Sequence, residues 1–324
     1  MDVPSRDEIE RARRLGVGVL TPSDPAYPPL LKGSADPPGA LHVRGRLEAD
    51  DRLAVAVVGA RRASPYGLEM ATRLGRDLAA AGFTVVSGLA RGIDAAAHKG
   101  ALSGGGRTLA VLGSGVDRIY PEEHAALANA IASGRGAVLS EMPLGTPPKA
   151  GHFPRRNRII ASLSWATVVV EAARDSGSLI TANLALQEGR LVFAVPGLVG
   201  EPNADGTNAL LRQGAHCCRG ADDVIEDLGP QVVEAAAGIA AQRDGAGPVA
   251  GDDAAAADGE AVAALGDAER SVLGALSKTR GLDVDALGRT CGLPPAALQA
   301  ALLNLELRGL ARTIPGPRYL LARG

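Results

Sequence analysis

The sequence predicts a doubly wound α/β domain with a mostly parallel sheet, followed by a small helical module. From residue 54 onward, six short apolar runs alternate with longer helical patterns, the order that a parallel sheet with crossover helices produces. The runs are apolar almost throughout, as strands covered by helices on both faces should be. The length of 324 residues suits two or three domains at about 100 to 200 residues each.

The strand candidates are AVAVVG at 54–59, FTVVSG at 83–88, TLAVLG at 108–113, AVLSE at 137–141, ATVVVEA at 166–172 and LVFAVPG at 191–197. Helices are expected near 65–81, 93–102, 122–133, 155–164 and 178–188. A ligand crevice is then expected beyond the carboxyl ends of the strands. Residues 1–53 are rich in proline, as in DPAYPPLL and SADPPGALHVRG, and read as a lead-in with a short helix and a few extended segments. The α/β domain is taken as 54–228. Residues 229–266 carry alanine, glycine and aspartate with little periodicity and read as a flexible or partly helical linker. In 267–324, DAERSVLGAL, DVDALGRTCG and PPAALQAALLNLELRGL read as three helices and ARTIPGPRYLLARG as a hairpin, the make-up of a winged helix-turn-helix.

Composition excludes several classes. With 46% hydrophobic and 22% charged residues the chain is not of the disordered type. No apolar run reaches the roughly 18 to 20 residues of a membrane span, and MDVPSRDEIERARR lacks the apolar core of a signal peptide, so no membrane role and a cytoplasmic location are expected. Cys217 and Cys218 are adjacent and Cys291 is far away, which gives neither a disulfide framework nor metal spacing; all three read as core cysteines. His42, His98, His124, His152 and His216 show no ligand spacing either and read as surface or satisfied residues. No metal or cofactor is expected. Glu141 and Glu171, at strand ends, read as ion-pair partners of nearby arginines.

The net charge of -2 hides an uneven distribution. Residues 54–160 hold 13 basic and 7 acidic side chains, whereas 161–228 hold 4 and 9. A basic segment in an otherwise acidic chain points to an anionic ligand or to a solvated face.

Three loops fit the first of these. VVGARRASPYG places Gly59, Arg61, Arg62 and Ser64 just before a helix that can begin at Pro65. It is not a dinucleotide fingerprint, because Arg61 stands where the second glycine should be and Ser87 and Gly88 stand where an acidic ribose ligand would. SGLARGIDAAAHKGAL supplies Arg91 at a turn, with Asp94 as the expected helix cap. EAARDSGSLITANLALQEGR offers Ser176, Gly177 and Ser178 at a third helix entrance. Exposed amides at such entrances bind anions, and three of them can face one crevice. In GTPPKAGHFPRRNRIIASLS, Lys149, Arg155, Arg156 and Arg158 surround Phe153, one of only three phenylalanines. An aromatic face among cations suits single-stranded DNA or RNA. Phe153 as a core anchor, with the arginines paired to carboxylates, is the equal alternative.

VVGARRASPYG, SGLARGIDAAAH, FPRRNRIIASLS and EAARDSGSLITANLALQEGRLVFAVPG, in this order over roughly residues 20–228, resemble the DprA family, also called Smf, of DNA-processing proteins of bacterial natural transformation. The resemblance implies an extended Rossmann-type domain that binds single-stranded DNA without sequence preference, a homodimer, recruitment of the recombinase RecA and no catalytic step. It also implies a pocket made of Arg61, Ser64, Ser87, Gly88, Arg91, Gly92, Lys149, Phe153, Arg156, Asn157, Arg158, Ser176, Gly177, Ser178 and Thr181. Two departures from the family pattern stand out. About 50 residues precede the first strand, too few for a whole SAM-like domain. The expected recognition helix, PPAALQAALLNLELR, has no Lys or Arg before Arg308, which favours a protein-interaction or regulatory role over base reading.

Two other functions compete. A phosphoribohydrolase would need a signature resembling PGGxGTxxE, and the comparable strand end here is DSGSLITAN, without its paired glycines or glutamate. A transcription regulator would act through the winged helix, with the α/β domain sensing a nucleotide.

Overall fold

The computed structural model describes residues 5–245, 266–276, 282–294, 297–298, 301–302, 304–305, 311–314 and 318–321. The chain divides into two units, Met1–Ala246 and Gly247–Gly324.

In the first unit, α1 (Arg6–Arg14), β1 (Val17–Leu20), α2 (Pro29–Lys32) and β2 (Leu41–Gly45) precede the α/β core. The core runs β3 (Ala54–Val58), α3 (Pro65–Ala80), β4 (Thr84–Ser87), α4 (Ile93–Ser103), β5 (Thr108–Leu112), α5 (Ala125–Ala132) and β6 (Gly136–Ser140). It continues with α6 (His152–Ser162), β7 (Ala166–Val169), α7 (Gly177–Gln187), β8 (Leu191–Ala194), α8 (Asp205–Arg212), β9 (His216–Cys217), α9 (Ala221–Asp227) and α10 (Pro230–Gly245). All six expected strands and all five expected helices are present. The nine strands form one sheet in the order β1-β2-β6-β5-β4-β3-β7-β8-β9. From β6 to β9 every pairing is parallel, and β2 pairs antiparallel with both β6 and β1.

The apolar runs are buried on both faces, and the alternation of the pleat divides them. Val55 and Val57 of β3 meet α3, α4, α9 and α10, whereas Ala54, Ala56 and Val58 meet the face covered by α2, α6, α7 and α8. A third cluster joins Ala12 of α1 with Val116, Leu144 and, from α5, Ala128 and Ile131. α3 starts where the sequence places it. Ser64 accepts the Gly67 N–H (3.0 Å), and Pro65 occupies the first helical position, where its missing N–H costs nothing.

Residues 5–53 hold the expected short helix, α1, and extended segments, which form strands β1 and β2 at one side of the sheet, with Leu31, Leu41 and Val43 buried in its core. Two expectations change. Pro230–Gly245, within the segment read as a flexible or partly helical linker, is helix α10, and it packs rather than links: Ala236 and Ile239 are buried in the main core, so small residues serve here for close packing. The rest of that linker, 246–265, lies outside the described residues. Cys217 is exposed on the short edge strand β9, whereas its neighbour Cys218 is fully buried and its thiol is pushed up to about 12, chiefly by burial.

The second unit contains α11 (Asp267–Ala275), β10 (Leu282–Asp283), α12 (Val284–Cys291), helical residues among 297–305, and the antiparallel hairpin β11 (Ala311–Ile314) and β12 (Arg318–Leu321). Its sheet order is β10-β12-β11. Val272, Leu287, Leu298, Leu302 and Leu305 form its core, and Glu269 accepts both the Gly266 N–H (2.8 Å) and the Asn304 side-chain amide (2.8 Å). Arg308 lies outside the described residues.

No helix among the described residues is long and apolar enough to cross a membrane.

Candidate nucleic-acid interface

The sheet order reverses between β3 and β7, and strand ends part there to leave a crevice. A cavity of about 700 Å3 occupies it. One wall is the segment Val58–Arg62 after β3, with Ala90 and Asp94. α6 supplies Phe153, Arg156, Asn157 and Ile160, and the β7–α7 turn supplies Ser176, Gly177, Ser178 and Thr181. The three loops singled out in the sequence therefore meet at one place.

Eight of the fifteen expected residues line this cavity: Arg61, Phe153, Arg156, Asn157, Ser176, Gly177, Ser178 and Thr181. They differ in what they offer. Arg61 is exposed, with its guanidinium over the Phe153 ring, 5.4 Å from the centroid. Arg156 is only 6% exposed and donates to the carbonyls of Gly88 (2.8 Å) and Val111, which fixes a cation in the cavity floor. Burial pulls its pKa down to about 10, against the pull of Asp94, so it stays charged at neutral pH. Asn157 donates to the Gly177 carbonyl (3.2 Å) and thereby ties α6 to the first turn of α7.

The other seven have different work. Ser64 caps α3 and also donates its hydroxyl to Glu171 (2.5 Å). Ser87 is buried and bonded to the Val57 carbonyl (2.7 Å). Gly88 leaves room for Arg156, whose Nη2 would stand 2.4 Å from any Cβ there. Gly92 takes φ 74° and passes close to the Ala60 carbonyl, which a side chain would strike. Arg91 is half-exposed and held by two hydrogen bonds to Glu123, both 2.7 Å. Lys149 is exposed between Pro148 and Ala150, which line the cavity, so it stands on the rim. Arg158 turns away from the cavity: Glu141 and Asp36 hold it, the latter at 2.8 Å. The reason is helical spacing. Phe153, Arg156, Asn157 and Ile160 share one face of α6, and Arg155 and Arg158 share another, where both meet the buried Glu141.

Two of the three helix entrances are already filled by the chain's own carboxylates. At α3, Glu171 accepts the Ser64 N–H (2.9 Å) as well as its hydroxyl, so Glu171 serves an amide and a cap rather than an arginine. Before α4, Asp94 is not the cap. Gly92 holds that position, and the Asp94 carboxylate reaches back to accept the N–H groups of Gly88 (3.1 Å) and Ala90 (3.3 Å). Burial raises the Asp94 pKa, and Arg156 beside it opposes the rise. At α7, no carboxylate among the described residues bonds to the first-turn amides. Ser176 caps Ser178 (3.4 Å), and the two hydroxyls meet at 2.8 Å. The positive end of the α7 dipole faces the cavity open to an anion.

Sequence reasoning missed Tyr120. Its ring lines the cavity 5.6 Å from that of Phe153, at 48° to it. Tyr120 follows the third strand run, and in a chain with four tyrosines a lone aromatic beyond a strand end was a usable signal. Each histidine has a local role: the rings of His98, His124 and His152 bond to Thr108, Leu89 and Gly113, while His42 pairs with Glu8 and His216 with Asp227. No group of three or more His, Cys, Asp or Glu among the described residues is placed to hold a metal.

The fold and the cavity define a Rossmann-like protein whose strand-end crevice combines aromatic rings, a buried and an exposed arginine and an open helix N-terminus. The chain belongs to the DprA (Smf) family: residues 18–229 match the model of DNA recombination-mediator protein A, and 255–317 match the DprA winged helix domain. It is 40% identical over 311 residues to Protein Smf of Escherichia coli, covering 94% of this chain and 78% of that one. It is 40% identical over 217 residues to DNA processing protein DprA of Bacillus subtilis, covering 67% and 73%. Among solved structures it resembles DprA of Streptococcus pneumoniae, with TM-score 0.63 and 38% identity over 69% of this chain and 76% of that one. It also resembles DNA processing protein A of Helicobacter pylori, described for its single-stranded DNA binding mode, with TM-score 0.58 and 32% identity over 65% and 94%.

Proposed function

We propose that the cavity binds single-stranded DNA without sequence preference and that the protein is a recombination mediator, loading RecA onto incoming DNA in natural transformation. The observation that carries this is the pairing of Phe153 and Tyr120 with Arg61, Arg156 and the α7 entrance in one cavity. Every base has a π-face, so an aromatic platform reads none of them in particular, while cations and amides take the backbone phosphates. The relatives described as DNA processing proteins support the same reading. RecA loading, a homodimer and a cytoplasmic location are the finer parts of the proposal and rest on the family resemblance. No catalytic step is proposed: Glu141 and Glu171, the carboxylates at the strand ends, are both engaged by arginine or by a helix cap. Residues 267–324 are assigned a protein-interaction role. Labelled single-stranded and duplex oligonucleotides of several sequences, titrated with the whole protein, test the proposal. Tight binding of all single strands over duplex supports it; release of free base from AMP would favour a phosphoribohydrolase instead.

A further inference from the structure

Beyond the cavity rim, the loops after β5 and β6 are joined. The Gly115 N–H donates to the Thr146 carbonyl (3.0 Å), and the Gly145 N–H donates to Asp117 (2.8 Å). Both loops are at the cavity's edge of the sheet: the first continues to Tyr120 and the second to Pro148 and Lys149. α1 reaches the same surface. Ala12 is fully buried against the cluster that includes Val116 and Leu144, and the neighbouring Arg11 extends its Nη2 to 3.6 Å from where a Cβ on Gly145 would stand.

Arg11, Arg118 and Lys149 are all exposed around these joined loops, and none has an ion pair among the described residues. This separates them from Arg91, Arg107 and Arg158, each held by a carboxylate. Three of the nearby acids are turned elsewhere: Asp117 to the Gly145 amide, Glu123 to Arg91 and Glu8 to His42. Apart from Tyr120, which lines the cavity, neither the two loops nor α1 carries an aromatic residue, so the surface offers charge without a place for a base.

We propose that this surface is a second contact for a nucleic-acid strand, one that meets phosphates alone. The strand leaves the cavity past Lys149 and crosses the joined loops, and its backbone meets Arg118 and Arg11. The inference rests on the single-strand reading of the cavity and extends its path toward α1.

The test compares an oligothymidine of about 4 nucleotides with one of about 16, the span of site sizes known for single-strand folds. Anisotropy is followed across a salt series for the full chain and for the double variant Arg11→Gln, Arg118→Gln. For the long oligomer the variant is expected to lose about 1.4 from the salt slope, two contacts at about 0.7 each, and roughly tenfold in affinity near 0.15 M salt. For the short oligomer it is expected to match the parent. The charge-keeping variant Arg11→Lys, Arg118→Lys should restore the slope. An unchanged slope on the long oligomer overturns the second contact and leaves the cavity reading intact. If the parent binds neither oligomer, the cavity reading itself is wrong and this inference falls with it.

Discussion

The Arg61 guanidinium lies over the Phe153 ring, on a face where a base could stack, and the tilted Tyr120 ring stands 5.6 Å from the same ring. An exposed cation–π contact is worth about 0.5 to 1 kcal/mol, and a stacked base about 1 to 3 kcal/mol. Stacking is the stronger of the two, so under the proposed function an arriving base is expected to displace the guanidinium and leave it to meet a phosphate. Phe153→Ala is expected to weaken binding by about 1 to 3 kcal/mol on every sequence with little change in salt slope. Arg61→Met is expected to reduce the slope by about 0.7. Anisotropy in a salt series checks both, and reversed roles would show that the base does not use this ring.

Arg91 is a cation withheld by its partner. Both of its hydrogen bonds go to Glu123, whose carboxyl is held below the usual range by that same contact. Glu123→Gln is therefore expected to release Arg91 beside the rim and to tighten single-strand binding, with a slope steeper by about 0.7. Equal affinity in the variant would mean that Arg91 never reaches the strand.

Arg156 is a structural cation as much as a binding one. Replacing it with Met leaves the Gly88 and Val111 carbonyls without this donor and removes the positive charge that opposes the rise in the Asp94 pKa. Leaving a buried acceptor unpaired in this way costs about 1 to 3 kcal/mol, to be read from urea unfolding. Lys149→Met, on the exposed rim, should stay within about 0.5 kcal/mol of the parent while still weakening DNA binding.

His98 provides a pH signature of folding. It is buried against Thr108, and burial, above all other causes, pulls its pKa from 6.5 to about 3. The unfolded chain therefore binds a proton between these values that the native state refuses. Stability should fall as pH drops from about 6.5 toward 3, and the difference between the parent and His98→Asn should shrink over the same window. A difference independent of pH would show that His98 takes up its proton in the folded state. The comparison cancels Asp94, whose raised pKa acts in the opposite sense.

The parallel core was legible because two-sided burial makes its strands nearly pure apolar runs, and Ser64-Pro65 and Ser176-Gly177 mark helix starts by local chemistry. Strands β1 and β2 were not, since VGVL and LHVRG are short, lie among prolines and acquire their meaning from pairing, β2 with β6 and β1 with β2. At the site, residue type showed which groups could bind an anion but not which were free to do so. Asp94 and Glu171 fill two of the entrances from distant or neighbouring segments, and the twist of α6 sends Arg156 into the cavity and Arg158 to Glu141. These are facts of packing that spacing along one chain does not carry.

The central claim is that one strand-end cavity holds both a stacking ring and the phosphate-binding cations. A double-mutant cycle of Phe153→Ala and Arg61→Met, measured by single-strand affinity at fixed salt, tests it most directly. Two groups that act on one nucleotide should couple by about 0.5 to 3 kcal/mol. Strict additivity, or full affinity in the double variant, would contradict the assignment of the cavity as the DNA site.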